Sequence, residues 1–156
     1  MNSRKRYKKS ELINFTYNIL KKVGLNNSNS KINHKTFSLW MSILSKAESS
    51  VLWIMNDNNI AKDNLKNFAS KKGIDVKRLI FTDFMPLDEH LKRLQLGDLI
   101  LDTFPYNGVT TSFEAIWMGV PVLTMKGYNF ISRCGESINK TLNMTNLISK
   151  NENDYF

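Results

Sequence analysis

The stretch DLILDTFPYNGVTTSFEAIWMGVPVLTM, residues 98–125, predicts a strand, a loop, a helix and a second strand in succession. Short continuous apolar runs indicate the strands, and Pro105 and Gly108 interrupt the pattern between the first strand and the helix. The predicted bounds are 98–103, 111–118 and 120–125. Two strands joined by a crossover of this length must run parallel, because the crossover returns the chain to the same edge of the sheet.

The same alternation continues upstream of this stretch. Apolar residues at helical spacing indicate helices, and short apolar runs indicate strands that are covered on both faces. The predicted helices are 36–47, 60–72 and 87–96, and the predicted strands are 51–55 and 78–82. The sequence therefore predicts an α/β fold built on a doubly wound parallel sheet.

Both ends of the chain give weaker signals. The 156 residues fit one domain, which we assign to 26–156. Residues 1–25 are predicted to be a basic N-terminal extension. A helix is favoured over 10–23, although the apolar residues within it also alternate as in a strand. The last residues, 149–156, begin a further helix without a stop signal, which suggests that the domain is truncated at its C-terminus.

Composition narrows the classes of function. The 42% of hydrophobic residues predicts a packed core, and the net charge of +8 favours an anionic partner, such as nucleotide phosphate, nucleic acid or a membrane surface. Much of the excess lies in residues 1–9, where it is typical of a solvated tail. The single cysteine, Cys134, excludes an internal disulfide, and no apolar run approaches the ~20 residues of a membrane span. No aromatic-studded sheet, zinc-ligand spacing or recognition-helix pattern accompanies the basic tail, so we expect a cytoplasmic protein that binds neither nucleic acid nor membrane.

The loop after the strand at 98–103 is the predicted site. Ligands of open parallel sheets bind where strands end and the following helices begin. Backbone amides and the helix dipole at this point suit a diphosphate, and Thr110 and Thr111 add two hydroxyl donors. Glu114, one turn later, is placed to accept hydrogen bonds from ribose hydroxyls. The alternative is that one threonine merely caps the helix, that Asn107 is only a turn residue and that Trp117 belongs to the core.

Two further residues are candidates in the same half of the sheet. Lys31, in the loop before the first predicted helix, can offer a cation to a departing phosphate. His90 lies on a helix that follows a strand end and can reach a nucleotide base. For each, the alternative is an ordinary solvated surface residue.

Four segments together resemble the C-terminal catalytic region of the protein O-GlcNAc transferase family, which includes the SPINDLY-like proteins. The segments are SVLWIMNDNN, RLIFTDFMPLDEHLKRLQLGDLILDTFPYNG, TTSFEAIWMGVPVLTMKG and FISRCGESI. The resemblance runs from about residue 26 to residue 155 and is densest over 95–119. Residues 19–24 do not resemble the strand that the family has before the lysine loop.

The resemblance implies a GT-B fold, in which two Rossmann-like halves enclose a sugar nucleotide held mainly by the C-terminal half. By similarity, Thr110 and Thr111 hold the diphosphate, Glu114 holds the ribose, His90 lies at the base, and Lys31 meets the departing phosphate. A polar neighbour of that lysine corresponds to Asn27 or Ser28. The sequence departs from the family at Val109, where a histidine is usual, and at Leu87, where many members have a lysine.

The implied reaction transfers N-acetylglucosamine from UDP-GlcNAc, or a sugar from another nucleotide sugar, to a serine or threonine hydroxyl of a protein. No Asp-x-Asp motif is present, so we expect neither a metal nor another cofactor. The implied partners are the nucleotide-sugar donor, a protein acceptor and an N-terminal acceptor-binding half. Two other interpretations of the sequence stay open: a non-catalytic or inactive module that binds a nucleotide sugar, and a basic protein that binds nucleic acid.

Overall fold

A computed structural model gives the architecture and describes residues 23, 24 and 31–156. The strands form one six-stranded sheet in the order β3-β2-β1-β4-β5-β6, and each adjacent pair is parallel. The strands are β1 Val23–Gly24, β2 Leu52–Met55, β3 Leu79–Thr82, β4 Leu99–Leu101, β5 Val122–Met125 and β6 Ile148–Ser149. This is the strand order of a Rossmann-like fold, so the predicted doubly wound sheet is confirmed.

Helices connect successive strands, and short 3₁₀ turns precede β3, α5 and β6. The α-helices are α1 His34–Lys46, α2 Asn59–Lys71, α3 Leu87–Leu94, α4 Thr110–Trp117, α5 Cys134–Thr141 and α6 Glu152–Tyr155. All four helices and all four strands predicted between 36 and 125 are present, with ends that differ by no more than two residues. The apolar periodicity was therefore sufficient to locate them.

The central strand β4 shows how the sheet is covered on both faces. All three of its residues are buried, and successive side chains of a strand point to opposite faces. Leu99 and Leu101 join a core that includes Trp40 of α1, whereas Ile100 joins a second core with Ala115 of α4. Helices therefore lie on each side of the sheet, as the continuous apolar strands predict.

The ends of the chain differ in part from the prediction, although the helix predicted within 149–156 is present as α6. Val23 and Gly24 form a strand, paired with β2 on one side and β4 on the other, instead of ending a helix. The rest of the predicted N-terminal helix lies outside the described residues. Ile148 and Ser149 form another short strand beside β5. Strands of two residues carry little pattern of their own, because their neighbours supply the pairing partners.

Trp117 also departs from its core interpretation. Its side chain is 84% exposed, and the buried residues of α4 are Ser112 and Ala115. The inner face of this helix is therefore lined by small side chains, which allow it to approach the sheet closely.

Candidate functional site

The site lies at the middle of the sheet, where the order of connection reverses. β1 and β4 are neighbours. From β1 the chain continues to β2 on one side, and from β4 it continues to β5 on the other side. Ligands of such sheets bind in the crevice outside the strand ends at this reversal. Lys31 follows β1 in the chain, and the loop after β4 leads to α4, so Lys31 and the start of α4 both border this crevice.

Asp102 organises the loop after β4. It is 1% exposed, and its carboxylate accepts hydrogen bonds from the Gly108 amide at 2.7 Å and the Thr124 hydroxyl at 2.8 Å. Burial raises the pKa of Asp102 to about 7, although these hydrogen bonds and the charge of Lys31 act to lower it. The carboxylate therefore fixes Gly108, two residues before α4 begins.

Asn107 completes the internal bonding of this loop. It is fully buried, and its side-chain amide donates to the Thr103 carbonyl at 2.8 Å. The Asn107 backbone amide donates to the Ile131 carbonyl at 3.2 Å, and the Thr103 hydroxyl donates to the Tyr106 carbonyl at 2.6 Å. Asn107 is thus a structural residue of the turn, and hydrogen bonds within the loop and to Ile131 and Thr124 order the loop.

The start of α4 is not capped by a threonine. Val109 is the N-cap and contributes no side-chain hydrogen bond, while Thr110 and Thr111 are the first two helical residues. The capping interpretation is therefore wrong. Thr110 is exposed and Thr111 is half-buried. The first-turn amides of a helix have no partner within the helix, and the positive end of its dipole lies here, so the position suits an anion.

His90 is a buried residue, not a solvated one. It is 8% exposed, and Arg93 donates to its Nδ1 at 2.9 Å, which leaves the ring proton on Nε2, 3.9 Å from Glu114. Burial first, and the charge of Arg93 second, lower the pKa of His90, so the ring is neutral near pH 7.

A cavity of about 220 Å³ brings three of the predicted site residues together. His90, Thr111 and Glu114 supply its polar groups. Apolar and cationic side chains complete it: Met55, Phe84, Met85, Leu87 and Arg93. Its mixture of apolar walls and a few convergent polar groups is typical of small-ligand sites.

Lys31 lies near the other loop of the crevice. Its ammonium group is 4.7 Å from the centre of the Tyr106 ring, and its charge acts on Asp102. The structure therefore places Lys31 beside the loop after β4. The predicted residues Asn27 and Ser28 lie outside the described part of the chain.

Three residues of the site were missed by sequence reasoning. Arg93 could have been found, because it lies three positions after His90 on one helix. Thr124 and Tyr155, whose hydroxyl donates to the Asp102 carbonyl at 3.1 Å, are distant in sequence and gave no local signal. Contacts of this kind depend on the complete fold.

Residues 31–156 and β1 contain neither a cluster of metal-ligating side chains nor a helix that could span a membrane. No group of three or more histidine, cysteine, aspartate or glutamate side chains there is arranged to hold a metal ion. No helix in this part of the chain is long and apolar enough to cross a membrane.

Comparison with known proteins agrees with this architecture. The model of glycosyl transferase family 41 matches residues 19–156. A UDP-N-acetylglucosamine peptide N-acetylglucosaminyltransferase of Caenorhabditis elegans is 30% identical over 125 residues, which are 80% of this chain and 11% of that protein. A SPINDLY protein of Solanum lycopersicum, named as a probable enzyme of the same kind, is 34% identical over 140 residues, 85% of this chain and 15% of that protein.

A solved structure resembles the chain as well. It is a mutant of the Thermobaculum terrenum O-GlcNAc transferase, 30% identical, with a TM-score of 0.82 over 86% of this chain and 26% of that one. The chain thus spans only 11% to 26% of the length of these three relatives. The family model extends over most of its residues, and the fold and the predicted resemblance are both confirmed: the chain belongs to glycosyl transferase family 41.

Proposed function

We propose that this chain is the donor-binding half of a glycosyltransferase that transfers N-acetylglucosamine from UDP-GlcNAc to serine or threonine hydroxyls of proteins. The observation that carries the proposal is the start of α4, where two threonines occupy the first helical positions at the reversal point of the sheet. The names of the family 41 relatives support this donor and a peptide acceptor.

The diphosphate would bind at the start of α4. Anions are stabilised there by the helix dipole and by first-turn amides, and the hydroxyls of Thr110 and Thr111 add donors. The nucleoside would enter the adjoining cavity, which Thr111 also lines. There Glu114 would accept from ribose hydroxyls, and the neutral His90 would lie against the base.

Catalysis in this proposal depends on stabilising the leaving group. A bond forms between the acceptor oxygen and the anomeric carbon, and the bond from that carbon to the diphosphate breaks, so negative charge develops on the departing phosphate. Lys31 and the donors of α4 would stabilise that charge. One well-placed donor of this kind contributes about 3 kcal/mol to transition-state stabilisation. The acceptor proton would pass to a base of the acceptor-binding half.

We predict that the double variant Thr110→Ala with Thr111→Ala weakens UDP binding by about a hundredfold or more, since two hydrogen bonds to charged groups are lost and each contributes about 1.5 kcal/mol or more. Isothermal titration with UDP and with uridine measures the loss. The pair Thr141→Ala with Thr145→Ala, both exposed and remote in sequence from α4, is the matched control. Native circular dichroism together with unchanged UDP affinity in the α4 variant would overturn the assigned diphosphate site.

A transfer assay then separates an enzyme from a binding module. Radiolabelled UDP-GlcNAc and an acceptor protein are incubated with the chain, with and without an acceptor-binding half from a family 41 relative. Incorporation of label in the supplemented mixture supports the transferase. Tight UDP binding without transfer in either mixture would instead identify a nucleotide-sugar-binding module.

A further inference from the structure

A second cavity, of about 570 Å³, opens between the start of α4 and helix α5. We call it the α4–α5 groove. Val109 and Phe113 form its α4 side, and the loop at 128–130 and the exposed side of α5 form the other. Val109 immediately precedes Thr110, so the groove begins where the proposed diphosphate site ends.

The groove presents large aromatic side chains to solvent. Tyr128 is fully exposed, Phe130 is 82% exposed and Phe113 is 57% exposed. Contiguous exposed apolar surface on a protein typically marks an interaction site. Aromatic residues are also enriched at such sites, because they offer a large contact area at low cost in conformational entropy.

Two cations line the groove, Arg133 and Lys140, and Lys126 contacts the same carboxylate as they do. Glu136 is 3% exposed, and its carboxylate is contacted by Lys140 at 2.8 Å, Arg133 at 2.9 Å and Lys126 at 3.6 Å. The hydrogen bonds from Lys140 and Arg133 and the nearby charges hold the pKa of Glu136 at about 2. One buried carboxylate thus orders three half-exposed cations and leaves an excess of positive charge on this side of α5.

We propose that the α4–α5 groove binds an acidic, aromatic-containing segment of the acceptor polypeptide. Carboxylates of the segment would meet the cations around Glu136, and its apolar side chains would pack on Tyr128 and Phe130. This inference rests on the proposed function. The groove adjoins Thr110 of the proposed diphosphate site, so a polypeptide bound in the groove would lie close to the donor sugar. The groove would therefore contribute to the choice of acceptor.

The positive charge around the groove favours an acidic peptide over two other possible ligands. The N-terminal segment of the chain itself is basic, with Arg4, Lys5, Arg6, Lys8 and Lys9, and would be repelled by that charge. A nucleic acid is matched less well than an acidic peptide, because phosphate-tracking sites line several uncompensated cations in a row. Here one carboxylate in the midst of the cations offsets part of their charge.

The test measures binding of a fluorescein-labelled synthetic peptide of about 12 residues, in which several glutamates alternate with phenylalanines, to the full chain by fluorescence anisotropy. We expect saturable binding that weakens as NaCl is raised from about 50 to about 300 mM, because the attraction is partly screened. The same peptide with each glutamate replaced by glutamine should bind about tenfold more weakly or worse. Equal affinities for the two peptides would overturn the acidic preference.

The groove variant carries Tyr128→Ser and Phe130→Ser together. Its control is Trp117→Ser, which removes a similarly exposed aromatic side chain outside the groove. The groove variant should lose at least about tenfold in peptide affinity, and Trp117→Ser should not. Wild-type peptide affinity in the groove variant would overturn the proposal, as would tighter, competing binding of a single-stranded oligonucleotide. UDP titration is run on the same samples, so loss of the peptide with UDP binding intact, or the reverse, separates this proposal from the donor site.

Discussion

The buried carboxyl group of Asp102 has an unusual electrostatic environment. Its ordinary pKa is 3.8, and burial raises it to about 7 in the folded chain. Between these two values the folded chain retains a proton that the unfolded chain releases. The free energy of unfolding contributed by Asp102 therefore falls as the pH rises from about 4 to about 7, by up to about 4 kcal/mol.

We predict that Asp102→Asn removes this pH dependence. Asparagine keeps an oxygen that can accept from the Gly108 amide, but it does not ionise, so the variant should gain stability relative to the wild type as the pH rises. Urea unfolding at pH 4.5 and pH 8 measures the difference. Other titrating groups, including Glu136, are common to both proteins and cancel. Asp63→Asn, on an exposed carboxylate of α2, controls for the loss of one charge. A constant difference between Asp102→Asn and wild type across this range would contradict the prediction.

At the scale of elements, the close packing of α5 on the sheet depends on Gly135. A Cβ atom at this position would lie 2.6 Å from Cβ of Thr124 and 2.8 Å from a carboxylate oxygen of Asp102. Both distances are far inside van der Waals contact. Helix α5 can therefore approach the end of β5, and leave the Asp102 to Thr124 hydrogen bond intact, only where the helix has no side chain.

We predict that Gly135→Ala lowers the free energy of unfolding by about 1–3 kcal/mol, the usual cost of overpacking, although alanine is the better helix former. Urea denaturation followed by circular dichroism measures it. Ser137→Ala, on the exposed side of the same helix, is the control and should change stability by no more than about 0.5 kcal/mol. If Gly135→Ala were as stable as this control, the packing of α5 described above would be incorrect.

Elements with a clear local sequence signal were predictable. β4 is a continuous apolar run, and α1 is capped by Asn33, whose side chain accepts from the Thr36 amide before a regular apolar face begins. β1 was not predictable, because two residues acquire strand geometry only from the neighbours on either side.

The candidate site was also predictable only in part. Its loop position followed from the α/β pattern, whereas the approach of Glu114 to His90 joins positions 24 residues apart and needed the fold.

In the complete fold, the C-terminal end of the described chain packs against the loop after β4, in the middle of the sheet. Tyr155 is 3% exposed, its ring lies 5.7 Å from that of Phe104, and its hydroxyl donates to the Asp102 carbonyl. Neighbours of Tyr155 reach α1, where Glu152 pairs with Lys35 and Lys46 lies over the Phe156 ring. The short helix α6 thus links the last strand to α1 and to the loop that carries the site.

We predict that Tyr155→Ala lowers the free energy of unfolding by about 3–5 kcal/mol, because it empties a large buried position in a domain whose total stability is of order 5–15 kcal/mol. Tyr155→Phe keeps the ring and loses the interactions of the hydroxyl with the Asp102 carbonyl and the Trp40 side chain, so it should cost about 1 kcal/mol or slightly more. Urea unfolding monitored by tryptophan fluorescence gives both values, and Asn153→Ala, on an exposed residue of the same helix, supplies the reference. The order expected is Asn153→Ala, Tyr155→Phe and then Tyr155→Ala, from most to least stable. If all three unfolded at the same urea concentration, α6 would be a peripheral segment that takes no part in holding the site loop.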